Sequence, residues 1–383
     1  MKSRPITLRI CSADKNDNEQ HFLEFLLKHD TLQDLALHKF KMEFFCCMIP
    51  EIYKNLPINL KKLSIHVSDC GTDVSIKDDC LMHIIEGQAS FIRELEIDER
   101  LIKSVVFNSI RNLKTLYLNV DHSRTAESFC LNLQPNTSIQ SLLVTGDLLD
   151  DNFTSKMFAL FPEVITLGLV SESSEHVYPK EVLNTIAGCA QKVERLLLDK
   201  VSNSNVILFK FPRLKTVEIK SLEDMSHSGW ATFLQNNPLI ESLTIENTYN
   251  FNNHCLSIIA IKLKNLKHLK LGSGFKLSIR SAKIIKKYCK NLKSLVVDKE
   301  LLQDNFNFYK TLDMKEVALT VTSRSYCALF CKLPSWYYFD ESSIEYSSED
   351  QSSSDTSDMF DDYDDVDSDD EENDFAIGGY FPG

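Results

Sequence analysis

Apolar and polar residues alternate along this chain in one recurring six-residue unit: an apolar residue, two free positions, Leu or Val, one free position and a second apolar residue. The unit appears as LQDLAL at 32–37, LKKLSI at 60–65, IRELEI at 92–97, LKTLYL at 113–118, IQSLLV at 139–144 and VITLGL at 164–169. It continues as VERLLL at 193–198, LKTVEI at 214–219, IESLTI at 240–245, LKHLKL at 266–271, LKSLVV at 292–297 and MKEVAL at 314–319, with PITLRI at 5–10 as a degenerate first copy. Alternation over its last positions predicts a short strand whose fourth and sixth residues share one face. The 15 to 26 residues between units must carry the chain back. LMHIIEG (81–87), KEVLNTIAGCA (180–190) and SAKIIKKYCK (281–290) space apolar residues three or four apart, which predicts helices there. Pro162, Pro212 and Pro238 each stand two residues ahead of a unit, where proline ends a return segment without removing a ladder hydrogen bond.

From Leu35 to Val317 the fourth positions are separated by 28, 32, 21, 26, 25, 29, 21, 26, 26, 26 and 22 residues, about 26 on average. That period is too short for tetratricopeptide or ankyrin repeats and lies in the range of leucine-rich repeats. One such strand cannot bury its apolar face alone, whereas stacked copies form a continuous core. The expected fold is therefore α/β: a leucine-rich-repeat solenoid, or horseshoe, with a parallel concave sheet and a helical convex side. It would hold about 12–13 irregular repeats of about 26 residues.

The net charge of −13 conceals a division of the chain. Between Asp340 and Asp374 stand 17 Asp or Glu and no Lys or Arg, so residues 1–339 carry 42 basic and 38 acidic groups, a balance of about +4. We expect a repeat domain over 1–339 and a disordered, Ser/Asp-rich acidic tail over 340–383, too charged and too poor in aliphatic residues to build a core. Ser342, Ser347, Ser352 and Ser368 each precede an acidic residue by three positions and are candidate phosphorylation sites. Residues 262–299 hold twelve Lys or Arg against the single acid Asp298, and the tail is an expected ligand for that block.

IAGCAQKVERLLL (186–198) and IIKKYCKNLKSLVV (284–297) resemble the cysteine-containing leucine-rich repeats of F-box/LRR proteins, and FPRLKTVEI (211–219) resembles the same turn with Phe in place of Cys. The resemblance covers residues 5–320 loosely and these segments well. It implies a substrate-recognition adaptor for SCF-type ubiquitin ligases, whose core subunits would be partners. Repeat-like sequence begins by residue 5, so the F-box that precedes the repeats in that family is not expected here. Ran GTPase-activating proteins also join leucine-rich repeats to an acidic end. Their repeats, however, carry an Asn three residues past the strand, where this chain has Phe40, Ser68, Arg100, Asp121 and, further on, no Asn.

On a horseshoe, the free strand positions are where a partner would bind. The second unit position reads Gln33, Lys61, Arg93, Lys114, Gln140, Ile165, Glu194, Lys215, Glu241, Lys267, Lys293 and Lys315, with seven basic residues and two acidic. The candidate partner-binding residues are Lys61, Arg93, Lys114, Tyr117, Lys215, Lys267, Lys270, Lys293 and Lys315, and Leu143, Ile165, Leu197 and Val296 are possible apolar anchors. A basic row of this kind points to an acidic or phosphorylated protein partner.

Chemistry is sparse elsewhere. No P-loop, G-x-G-x-x-G, H-E-x-x-H or G-x-S-x-G occurs, and the ten histidines lack metal-ligand spacing. No catalytic residue, metal or cofactor is expected. Eleven cysteines without a C-x-x-C pair fit a reducing compartment, cytoplasmic or nuclear. No apolar run is long enough to span a membrane, and stacking aromatics are too few for nucleic acid. The expectation is a monomeric protein-interaction scaffold, with a ligase adaptor and an acidic-tail chaperone for basic, histone-like proteins as alternatives.

Overall fold

The computed structural model describes residues 6–11, 19–40, 54–67, 79–98, 107–120, 133–146, 151–171, 180–199, 209–220, 225–246, 251–272, 277–298, 308, 311–312 and 317–322, all within Met1–Glu341. The acidic tail and its four serines lie outside the described residues, as does Lys315.

Thirteen strands form one sheet: β1 (Ile6–Cys11), β2 (Leu32–Phe40), β3 (Lys62–Val67), β4 (Glu94–Asp98), β5 (Thr115–Asn119), β6 (Ser141–Thr145), β7 (Thr166–Val170), β8 (Arg195–Asp199), β9 (Thr216–Lys220), β10 (Ser242–Glu246), β11 (His268–Leu271), β12 (Ser294–Asp298) and β13 (Ala318–Thr322). Each pairs in parallel with the next, in sequence order, and the sheet is open. This is the leucine-rich-repeat solenoid. Unit positions one, four and six make the core: Leu60, Leu63 and Ile65 are buried, as are Leu113, Leu116 and Leu118, and Val193, Leu196 and Leu198. Each fully buried aliphatic side chain contributes about 1.5–3 kcal/mol of transfer free energy.

The described helices are α1 (Glu19–Lys28), α2 (Asp79–Gln88), α3 (Asp151–Leu160), α4 (Lys180–Cys189), α5 (His227–Asn236), α6 (Asn253–Lys262) and α7 (Ile279–Tyr288). The periodicity found α2, α4 and α7. It missed α1 and α3, as well as α5, which contains Gly229 with Trp230, Thr232 and Phe233, and α6, whose apolar residues encircle it. Caps mark these helices instead. Ser226, Asn252 and Ser278 recur every 26 residues, and their side chains accept N–H bonds from Gly229, from His254 and Cys255, and from Ser281. Ser281 also donates to the Asn253 carboxamide of the preceding repeat at 2.6 Å, so caps link neighbouring repeats as well as helix ends.

Two registers differ from the sequence reading. Leu295 pairs with Leu319 and Ser294 with Ala318, so the last strand is two residues later than MKEVAL implies, and Val317 takes the second unit position in place of Lys315. Apolar residues at 317, 319 and 321 alternate equally well in both registers, and only the ladder decides between them. The second correction concerns cysteine. Cys289 lies three residues before its unit, in a buried turn, and the equivalent residue in the earlier repeat is Ala190, leaving Cys189 exposed. Phe211 and Leu263 fill the same turn, as does Asn237. The Asn237 side chain donates to the carbonyls of Phe209 and Phe233 and accepts from the Phe211 N–H, joining one repeat to the next. Gly146, at φ 94°, closes the turn after β6, where a Cβ would lie 2.0 Å from the Val120 carbonyl oxygen.

Candidate protein-interaction surface

The second unit position forms a continuous rim along the N-terminal edge of the sheet. The N–H of Lys61 donates to the Gln33 carbonyl, Arg93 to Lys61, Lys114 to Arg93, Gln140 to Lys114 and Ile165 to Gln140, all at 2.8–2.9 Å. The ladder continues from Glu194 through Lys215, Glu241 and Lys267 to Lys293, each donating to its predecessor at 2.7–2.8 Å. Side chains along this rim therefore stand about 4.8 Å apart at the backbone.

The charges along the rim are not equivalent. Lys215 pairs with Glu194 at 3.0 Å and Lys267 with Glu241 at 2.8 Å, while Lys61 donates to the Gln33 carboxamide at 2.8 Å. The hydrogen bond from Lys267, outweighing partial burial, holds the Glu241 carboxyl below its ordinary range. Arg93, Lys114 and Lys293 are exposed and have no ion-pair partner among the described residues. Arg93 and Lys114 are adjacent. Two cations about 5 Å apart repel by about 0.8 kcal/mol in water, so this pair favours an incoming anion.

Positions three, five and seven lie on the strand face away from the core. Glu96, Asp98, Asp199, Glu218 and Glu246 stand there, each no more than 2% exposed. Carboxylates withdrawn from water to this extent require partners. Asp98 has the His66 ring nitrogen at 3.6 Å and accepts from Asn119 at 2.7 Å, and Asn119 accepts in turn from Thr145 at 3.0 Å. This polar chain crosses β3 to β6 at the seventh position. Lys220 lies 3.8 Å from Glu218, and Lys270 pairs with Glu246. Lys270, a candidate from the sequence, is thus engaged within the sheet. Tyr117 is buried with the Lys62 ammonium 5.4 Å from its ring centre, and Leu143 and Leu197 are fully buried, while Ile165 and Val296 keep partial exposure. The second unit position had drawn attention to the basic residues. Aligning the seventh position as well would have brought out Asp98, Asp199 and Glu246.

A further group of cations lies on α7 and just past its end. Arg280, Lys283, Lys286, Lys287 and Lys290 are exposed. Lys286 donates to the Thr311 carbonyl at 3.3 Å and Lys290 to the Lys286 carbonyl at 2.9 Å, the latter satisfying a C-terminal carbonyl of the helix. Beneath this helix, burial pushes the Cys289 thiol up to about 11, and burial likewise raises Cys255. Among the described residues no cluster of three or more His, Cys, Asp or Glu is arranged to hold a metal ion.

No protein-family profile matches this chain, and no curated protein matches it. Solved structures similar to it at low identity include the following. One is the leucine-rich repeat-containing protein LegL7 from Legionella pneumophila, 14% identical over 73% of this chain and 97% of that one, with a TM-score of 0.48. Another is the Rad7 and Elc1 complex in yeast, 18% identical over 79% and 83% of the two chains, with a TM-score of 0.40. The fold rests on the strand order and repeat register described above.

Proposed function

We propose that this chain is a non-catalytic protein-interaction scaffold that takes an acidic protein partner along its rim, centred on Arg93 and Lys114. The observation that carries this reading is the unbroken rim ladder. Its ten hydrogen bonds fix eleven successive backbone positions at regular spacing and leave two adjacent, exposed cations without an internal anion. A rigid row of this kind recognises a partner without having to order its own backbone on binding. Lys61 and Lys293 extend the same edge, whereas Lys215 and Lys267 contribute charge only as halves of ion pairs. Residues 340–383 form a separate acidic segment in this reading. The free thiols of Cys189, Cys255 and Cys289 suit a cytoplasmic or nuclear protein.

A link to ubiquitin ligases rests on the cysteine-repeat resemblance, which has Cys289 alone in register. The test is affinity capture from cell extract with the natural chain and with Arg93→Glu/Lys114→Glu, quantified by mass spectrometry. The scaffold reading expects acidic partners that the natural chain retains and the double variant loses by about tenfold or more. An identical set of retained proteins would remove the rim as the site. Ligase core subunits retained equally by both chains would support the adaptor reading instead.

A further inference from the structure

The outward side of α7 carries a charge pattern that the neighbouring repeats lack. Arg280, Lys283 and Lys287 follow at steps of three and four residues, which aligns them in one stripe about 10 Å long, and Lys290 stands two residues past the helix end. Arg280, Lys283 and Lys287 have no acidic partner among the described residues, and the Lys290 ammonium meets only a carbonyl. The corresponding residues one repeat earlier are His254, Ser257, Ile261 and Lys264, so building this helix does not require the stripe. Helix polarity accounts for part of the pattern, because cations near a C-terminus are favoured. It does not account for Arg280, which stands in the first turn, where the dipole opposes a cation and no acidic residue accompanies it.

We propose that this face docks an acidic peptide segment of a partner protein, one whose carboxylates are interspersed with apolar side chains. Charge complementarity supplies the first part. Ile261 and Ile279, each 42% exposed, border the stripe and supply the second, since they offer apolar contacts that a phosphate backbone does not use. Three of these four cations are lysines, which act as point charges rather than as bidentate phosphate forks. The nearest aromatic ring, Tyr288, is half-buried with the Lys287 ammonium 4.9 Å from its centre, so it is not an open platform for a base. About three residues of extended peptide match the stripe's length. The surface is separate from the rim, and its occupancy is independent of the rim reading.

Fluorescence anisotropy tests this with a labelled peptide repeating Glu-Glu-Leu and the full chain. Lys283→Glu/Lys287→Glu is expected to weaken binding about tenfold or more, and Ile261→Ser about threefold. Lys156→Glu, an exposed lysine on α3, is expected to leave binding unchanged; all variants change exposed side chains, and a thermal melt verifies that each is folded. Unaltered affinity in the double lysine variant would overturn the proposal. So would a short oligothymidylate that binds more tightly than the peptide and loses as much with the same substitutions.

Discussion

The strand face and the outer face of α7 are both rich in charge, yet they handle it in opposite ways. On the strand face the carboxylates are almost fully buried and matched across neighbouring strands, as with Glu246 and Lys270 or Asp98, His66 and Asn119. On α7 the cations are exposed, and Arg280, Lys283 and Lys287 lack acidic partners among the described residues. The rim lies between these extremes, with Lys215 and Lys267 paired and Arg93 and Lys114 not. A count of basic residues therefore says little about anion binding. What matters is whether the sheet has already placed a carboxylate one strand away.

The sharpest way to break this comparison is to remove a cation from each region. Lys270→Met leaves Glu246 buried without its ammonium and is expected to lower stability by about 3 kcal/mol, whereas Lys283→Met should change it by no more than about 0.5 kcal/mol. Urea denaturation of both variants measures the contrast, and equal effects would mean that the strand-face pair is not a buried, coupled one. A similar inside-outside contrast holds for the thiols. With its pKa near 11, Cys289 should hold about a hundredfold less thiolate at pH 8 than a thiol at its ordinary 9.0, and burial slows it further. Iodoacetamide labelling followed by peptide mass spectrometry should modify exposed Cys189 long before Cys289.

The smallest effect concerns the rim. The Glu241 carboxyl, held low mainly by its hydrogen bond to Lys267, should titrate below its ordinary 4.5 and return toward it in Lys267→Met. A carboxylate whose folded pKa is lowered stabilises the fold above its unfolded pKa, and that contribution disappears as pH falls through the lowered value. The pair should therefore persist across neutral pH and open only in acid. Carbon-detected NMR of the glutamate side chains reads this directly.

Much of the fold was legible because strand alternation and a 26-residue period reinforce each other, and Pro162, Pro212 and Pro238 repeat the register independently. Legibility failed where two registers satisfy the same pattern. Val317, Leu319 and Val321 alternate equally well after a shift of two, and Ala190 fills a small buried site next to a more conspicuous Cys189. The rim was readable as a row but not as a set of pairs until Glu194 and Glu241 were seen to stack directly on Lys215 and Lys267. The buried carboxylates of the strand face were hidden for a related reason. Outward strand positions are ordinarily solvated, so the sequence gives no sign that Glu96 or Glu218 is withdrawn from water.

The most direct test of the scaffold account is site-specific photo-crosslinking in cells. A benzoylphenylalanine would be placed at Gln140, exposed on the rim beside Lys114, and, in a second chain, at Gln235, exposed on α5. The account predicts a discrete crosslinked partner from Gln140 that is absent from Gln235. Crosslinks from Gln235 alone, or from neither position while the partner still co-purifies, would contradict it.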